Sequence, residues 1–433
     1  MSSIWQAGVE LPAFAQLEED LKAEVLIIGG GLAGLLCAYF LHKAGVDYIL
    51  AEAETICSGT TKDTTAKITA QHGLLYHKLL QDAGLEKTRL YLTANQQALT
   101  QYESLCQNIA CGFAQKDAYV YSLDDGEKID REMEALARLG YEARFASELP
   151  LPFRIAGAVR FVNQAQFNPL RFAGGIAHGL RIFEHTKVVK LGDHTAVTAK
   201  GTITAEKIVV ATHFPIFNNH GGYFLKLYQH RSYGVALENG PDVHGMYVDE
   251  AQNGMSFRNH ENFLLLCGGD HRTGKKGGNW AELRAFAQRH YPAAKERYYW
   301  AAQDCMSLDG VPYIGPYSKA TPDLFVATGF NKWGVTGSMA AAMLLTDLVR
   351  GRENPFASVF SPARSMCKPQ LFLNGLESTL GLLTPTRPRC PHLGCALKWN
   401  PVEHSWDCPC HGSRFSEEGN LIDNPATGGL KGK

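Results

Sequence analysis

Residues 25–52 read VLIIGGGLAGLLCAYFLHKAGVDYILAE, and this stretch decides the fold. The apolar run 25–28 has the composition of a buried parallel strand, and it enters Gly29, Gly31 and Gly34 in GxGxxG spacing. A helical pattern of Leu35, Leu36, Ala38, Tyr39 and Leu41 follows, and a second strand at 47–51 ends in Glu52. Each glycine answers a separate need. The first allows the tight turn, the second lets backbone N–H groups approach a pyrophosphate, and the third lets helix pack on strand. The helix N-terminus then faces the phosphates. Glu52 is placed to accept hydrogen bonds from an adenosine ribose. A glycine-rich turn in any α/β protein gives part of this pattern; all five parts in order specify a dinucleotide-binding unit.

Outward from this unit, composition sets the bounds. A chain of 433 residues with 45% hydrophobic content has room for two or three domains with sizeable cores. Its net charge of −1 gives no general attraction to nucleic acid or anionic lipid. The opening MSSIWQAGVELP lacks a basic segment followed by an apolar one, and no apolar run reaches the roughly 18 residues a membrane span needs. The expectation is a cytoplasmic protein. Seven of the eleven cysteines (37, 57, 106, 111, 267, 305 and 367) are scattered and read as ordinary buried thiols; four crowd into 390–410.

Residues 1–22 read as a polar lead-in packed across the surface. After Glu52, CSGTTKDTTAKITAQHG at 57–73 is dense in hydroxyls and poor in large apolar residues, which suits a loop in contact with a polar ligand or a solvated turn before a helix cap. Ser58, Thr61, Thr65 and Lys67 are its candidate ligand contacts. Helices are expected at 85–107, at 127–139 closed by Gly140, and at 168–180. Strands are expected at 154–162, 182–191 and 202–212, the last returning to the parallel sheet. From 223 to about 313 the pattern turns to short aromatic-rich strands with Asn-Gly and Gly-Gly turns, a candidate substrate domain. The strand at 324–328 then meets a Gly-rich turn and a helix starting near Thr336, whose N-terminus favours negative charge on a bound ligand.

VLIIGGGLAGLL, TTAKITAQHG, VVATHFP, DGVPYIG and ATGFNKWGVTGSMAA, in this order across roughly 20–355, resemble the D-amino-acid oxidase-like (glycine/sarcosine oxidase) flavoproteins. The resemblance implies FAD rather than NAD. Gly29, Gly31, Gly34 and Glu52 would hold the ADP half, and the Val188 backbone would meet the adenine. Gly329, Lys332, Gly334, Val335 and Thr336 would lie at the flavin. Members of that family oxidise C–N bonds of amines or amino acids by hydride transfer to flavin. A single GxGxxG argues against flavoenzymes that carry a second nucleotide unit for NAD(P)H.

The C-terminal boxes CPHLGC (390–395) and CPCHGS (408–413) place C-x-H fifteen residues before C-x-x-H. Two thiolates and two imidazoles suit a [2Fe–2S] cluster with Cys390 and Cys408 on one iron and His392 and His411 on the other. A structural zinc ribbon uses a similar ligand set. The paired boxes resemble the Rieske proteins. That resemblance implies a Cys395–Cys410 disulfide, a Ser413 hydrogen bond to a cluster sulfur, and an intermediate potential because Phe415 stands where high-potential members have tyrosine. The base subdomain of such proteins is abbreviated here, so the flavoprotein body is expected to cover the cluster region, with 355–374 a docked connector.

The expected architecture is an α/β FAD-binding Rossmann-like domain (20–84, 150–222, 318–358), an inserted α+β antiparallel-sheet substrate domain (85–149, 223–317), a connector (359–374) and a small all-β Rieske-type domain (375–433). The expected function is a dehydrogenase: a small-molecule amine or amino acid reduces FAD, and electrons leave singly through the cluster to an external acceptor. In the strand at 228–236, alternation puts Arg231, Tyr233 and Val235 on one face and His230, Ser232 and Gly234 on the other. Arg231 is the candidate clamp for a substrate carboxylate, with Tyr233 lining the site; a surface Arg beside a core Tyr is the alternative. Lys332 is the candidate for stabilising negative charge on the flavin. Two other functions fit the same residues: a flavin reductase fed by the cluster in reverse, and a non-catalytic zinc-stabilised flavin binder.

Overall fold

The computed structural model describes residues 2–217, 220–386 and 388–430. Strand Leu21–Ile28 lies between two parallel neighbours, Tyr48–Ala51 and Thr202–Val210, with Ile28 opposite Ala51 and Val210. Thr321–Thr328 continues the parallel set, and Tyr313–Ser318 adds an antiparallel edge. These strands, with Ile182–Phe183 and two short strands beyond them, form an eight-stranded sheet whose central members are apolar on both faces. Helices Leu32–Lys43 and Gly334–Val349 pack together over it. A Cβ at Gly34 would fall 1.8 Å from the Gly29 carbonyl oxygen, so only glycine lets this helix seat against the turn.

A nine-stranded sheet carries the second layer. Its order runs Lys295–Ser307, Leu227–Glu238, Phe263–Arg272, Ser256–His260, Met246–Asp249, Ala114–Ser122, Gly157–Gln166 and Lys67–Ile68, with Arg144–Ala146 beside Gly157–Gln166. Two of these strands, Lys67–Ile68 and Gly157–Gln166, come from ranges assigned above to the cofactor domain, and Tyr313–Ser318 makes the reverse exchange. The helices follow their sequence signals. Asn168 caps Pro169–Ala177 by accepting from the Leu170 and Arg171 N–H groups, and Gly140 ends Gly126–Leu139 at φ +78°. The long helix begins earlier than its pattern, spanning Leu75–Cys106 with a kink at Gly84.

Two expectations need correction. The N-terminal lead-in is not merely superficial: Trp5 is fully buried, its indole donates to the Thr64 carbonyl at 2.6 Å, and the Arg258 guanidinium lies over its ring. Cys367 is exposed rather than buried.

The C-terminal domain is a four-stranded antiparallel sheet (Lys398–Asn400, Ser405–Asp407, Arg414–Ser416, Leu421–Asp423) preceded by helix Pro369–Leu383. That helix packs against the loops that carry Cys395 and Cys410. A Cβ at Gly381 would meet Cys410 Sγ at 2.6 Å, and the Ala396 N–H donates to the Gly381 carbonyl. The segment before it is docked: Arg364 makes a bidentate contact with Asp309 and donates to the Pro312 carbonyl.

Candidate active site and cluster centre

One cavity of about 770 Å³ runs from the glycine turn to the nine-stranded sheet. At its first end lie Gly29, Gly31, Glu52, Ser58, Thr61 and Val188. The Glu52 carboxylate accepts from the Gly30 and Glu54 N–H groups; burial raises its pKa and these donors oppose the rise. Thr61 Oγ1 accepts from the Leu32 N–H at 3.0 Å, tying the loop to the helix N-terminus. Ser58 donates to the Thr55 carbonyl. Backbone N–H groups, a helix start and a carboxylate converge here, the donor set that an ADP moiety requires.

Farther along, the wall includes Thr65, Lys67, Lys332, Gly334 and Val335. Lys67 is buried, with Nζ 3.3 Å from Thr65 Oγ1 and 3.4 Å from Ser256 Oγ, and burial lowers its pKa to about 8. Lys332 Nζ pairs with Asp270 at 2.5 Å. Gly329 and Thr336 stand behind the wall. Gly329 supplies a turn at φ +70°, and Thr336 Oγ1 both donates to and accepts from the Thr69 backbone, locking the helix start to the 69–73 loop. Gly34, as its packing role requires, is also behind the wall.

The strand Leu227–Glu238 shows which of its faces does what. Ser232 lines the cavity together with Trp300, Ala302 and Asp304 of the adjacent strand. Arg231 does not. Its guanidinium, expected to clamp a substrate carboxylate, makes a bidentate contact with Glu403 of the C-terminal domain, and the Tyr233 hydroxyl donates to the same carboxylate at 3.1 Å while the residue borders the cavity. Alternation gave no sign that a further domain would cover Arg231, and past the bulge at Ser232 the Tyr233 side chain reaches both that domain and the cavity. Gln229, on the Arg231 side, donates to the carbonyls of His411 and Asn424, and Gln303 donates to that of Gly412. The sheet therefore presents the cavity on one side and holds the ligand loop on the other.

The ligand loop itself brings the four metal candidates together. The His392 and His411 rings lie 4.9 Å apart at near right angles. The Cys408 thiol hydrogen-bonds Cys390 and draws its pKa down to about 7, an effect to which the Ser413 hydroxyl adds. Burial lowers His392 to about 4 and His411 to about 3, so both imidazoles are neutral, as ligation requires. The His411 ring nitrogens are buried and, among the described residues, form no hydrogen bond of ordinary geometry. A buried imidazole so placed, beside a second imidazole and two thiols, fits a two-thiolate, two-imidazole cluster. Cys395 and Cys410 form a disulfide with Cα atoms 6.7 Å apart. Phe415 is wholly buried in the small domain's core.

Cavity and cluster loop share their wall. Residues 421–424 and 426–427 line the cavity, Asn424 Nδ2 donates to the Thr212 carbonyl at 2.6 Å, and Phe214 stands 6.3 and 6.4 Å from the His392 and His411 rings. Spacing gave no signal for residues 421–427, because they reach the cavity only through domain docking.

Residues 24–348 match the family model "FAD dependent oxidoreductase" (DAO), and residues 377–432 match "Rieske [2Fe-2S] domain". The chain belongs to the DAO family of FAD-dependent oxidoreductases. It is 35% identical, over 99% of its length and 96% of the relative's, to the "Putative Rieske 2Fe-2S iron-sulfur protein YhfW" of Bacillus subtilis. Over 42 residues, 10% of this chain and 24% of the relative, it is 48% identical to cytochrome b6-f complex iron-sulfur subunit 3 of a Nostoc species. Its fold is that of glycine oxidase from Geobacillus kaustophilus (TM-score 0.68, 21% identity, 80% of this chain and 100% of that one). L-proline dehydrogenase from P. horikoshii is similar too (TM-score 0.66, 17% identity, 80% and 98% covered). As a DAO-family oxidoreductase with a Rieske domain, the chain uses FAD and a [2Fe–2S] cluster. None of its helices, among the described residues, is long and apolar enough to cross a membrane.

Phe415 offers a direct check on the cluster. Phe415→Tyr is expected to add one hydrogen bond to the cluster, worth about 1 kcal/mol, which corresponds to a rise of roughly 40 mV for a one-electron couple. Redox titration followed by EPR would measure it; an unchanged potential would show that position 415 does not reach a cluster sulfur.

Proposed function

We propose that this DAO-family protein oxidises the C–N bond of an amine or amino acid and passes the electrons singly, through the cluster, to an external acceptor. The observation that carries the proposal is the shared wall. Thr212 and His213 line the FAD cavity, while the next residue, Phe214, faces both cluster histidines. FAD supplies a two-electron acceptor and the cluster a one-electron one; the chain's own contribution is to hold both sites on one rigid sheet. Gln229 and Gln303 fix the ligand loop, and Arg231 anchors the small domain. In this reading Lys332, held by Asp270, supplies positive charge to the flavin end of the cavity, and Thr65 and Lys67 line that end as well. The small domain is a docked electron exit in which Cys390, His392, Cys408 and His411 hold the cluster.

Steady-state turnover with a panel of amines and amino acids, using an artificial one-electron acceptor, tests the direction of flow. Amine-dependent reduction of the acceptor supports the proposal. Turnover only with a reduced electron donor would favour the cluster-fed reductase, and zinc without iron on metal analysis would remove the electron path. Lys332→Met is expected to lower the flavin two-electron potential by about 30 mV, the equivalent of 1.4 kcal/mol for two electrons; an unshifted potential would take Lys332 out of this role.

A further inference from the structure

We propose that Asp270 and Asp304 form the recognition site for the substrate's ammonium group, and that Asp304 takes its proton. The inference rests on the amine-oxidation reading above and names the residues that reading leaves open. Asp270 stands on Phe263–Arg272 at a β-bulge. The register against Leu227–Glu238 shifts between Arg231 and Tyr233, so Gly269 and Asp270 together oppose Ser232. A bulge of this kind re-aims a side chain, and bulges concentrate beside active sites. The Asp270 side chain is 4% exposed. Its Oδ2 accepts from Lys332 Nζ and lies 3.1 Å from His230 Nδ1, whereas its Oδ1 is buried with no hydrogen-bond partner among the described residues. Asp304 lies directly across from His230 in the Lys295–Ser307 strand and lines the same cavity, and among the described residues its carboxylate accepts no hydrogen bond.

Two carboxylates thus line one cavity beside one lysine, one of them with a buried acceptor oxygen left over and the other with no donor from the described residues. A buried acceptor without a donor costs about 1–3 kcal/mol, and more when charged, so such a pair is poised for a ligand that brings N–H donors and positive charge. A metal ion fits less well: among the described residues, Asp270, Asp304 and His230 do not bring three ligand atoms within reach of one ion. An alkylammonium supplies up to three donors. Burial pushes the Asp304 carboxyl up to about 6, with Lys332 opposing the rise and Asp270 adding to it, which brings its proton affinity toward that of a working base. The step is a simple transfer. One ammonium N–H bond breaks and one Asp304 O–H bond forms, leaving a neutral amine whose lone pair is free and a neutral carboxylic acid. Without that lone pair the nitrogen cannot support loss of hydride from its carbon.

The test uses the FAD-loaded, cluster-loaded protein and two redox-inert probes of equal shape: tert-butylammonium, which has no hydrogen on the carbon bearing nitrogen, and pivalate. Binding is read from the flavin difference spectrum and from calorimetry. Tert-butylammonium is expected to bind, and Asp304→Asn to weaken it tenfold or more while flavin content and melting temperature stay unchanged. Asp304→Glu is expected to restore part of the affinity. Binding of pivalate in preference to the cation by the wild-type protein would overturn the proposal without any variant. So would an Asp304→Asn protein that loses FAD affinity but keeps its affinity for the cation, since the pair would then serve the flavin. Because neither probe can be oxidised, cation binding with no turnover of any amine would count against the amine-oxidation reading and leave the cation site standing.

Discussion

Gly34→Ala abolishes FAD binding and prevents the cofactor domain from folding: this is the largest effect expected of a single methyl group in the chain. The added Cβ would lie 1.8 Å from the Gly29 carbonyl oxygen and 3.0 Å from its carbon, both backbone atoms of the turn that receives the pyrophosphate. Neither can yield without moving strand Leu21–Ile28, which is paired on both sides. The cost exceeds the roughly 4–5 kcal/mol at which single substitutions become exceptional, a large part of a domain's net stability. Gly31→Ala makes the informative contrast. Its Cβ would be 3.5 Å from Thr61 Oγ1, an ordinary contact, so the fold is expected to survive while the methyl intrudes on the phosphate path. Soluble yield, melting temperature and the flavin-to-protein absorbance ratio check both. A Gly34→Ala protein with full flavin content would refute the packing argument, and a fully loaded Gly31→Ala protein would refute the placement of the pyrophosphate.

Glu403→Gln has the second large effect, at the junction of the two domains. The Glu403 side chain is 1% exposed and lies between Arg231 of the nine-stranded sheet and Arg414 of the small domain. Burial alone would raise its pKa; the charges of Arg231 and Arg414 prevail and hold it at about 2. Neutralising it leaves two buried guanidinium groups short of a counter-charge, with Asp407 and Asp423 remaining for Arg414 and a 4.0 Å contact with Asp423 for Arg231. Breaking a buried ion pair by removing one partner costs about 3–5 kcal/mol. The expected result is a lower melting temperature and release of the small domain to limited proteolysis, while the intact protein resists. The linkage has a definite sign. Because the folded pKa is depressed, the Glu403 contribution is fully present above the unfolded value, near 4.5, and is lost as pH falls toward about 2. Acid unfolding of the wild-type protein should therefore be steeper in that window than that of Glu403→Gln. Equal proteolysis of both proteins would mean that the network does not hold the domains together.

What the sequence disclosed and what it concealed follow from the range of the interactions. The nucleotide turn is local: strand, three glycines, helix and acid lie within 28 residues, and each residue type is forced by its neighbours. The cluster boxes are local in the same sense. The strand expected at 154–162, which runs Gly157–Gln166 in the structure, was legible as a strand but not as a member of the second sheet, because strand pairing depends on partners up to about 100 residues away. Arg231 shows the limit of period-two reasoning. It sorts side chains into two faces and cannot say that one will be covered by a domain beginning some 140 residues later. Asp270 and Asp304 were illegible for a related reason: they meet only through a bulge and the pairing of three strands. Trp5 was hidden because two adjacent apolar residues, Ile4 and Trp5, in a polar segment carry no periodicity.

The central claim is that two redox centres on either side of one sheet form a single electron path. It is tested most directly by an anaerobic titration of the fully loaded protein with the amine most active in turnover, followed by visible absorbance and low-temperature EPR. The account expects the flavin to bleach while a Rieske-type signal grows in, with three electrons taken up per chain at completion, two by the flavin and one by the cluster. Full bleaching of the flavin with no cluster signal, in protein whose cluster is reduced normally by dithionite, would contradict it.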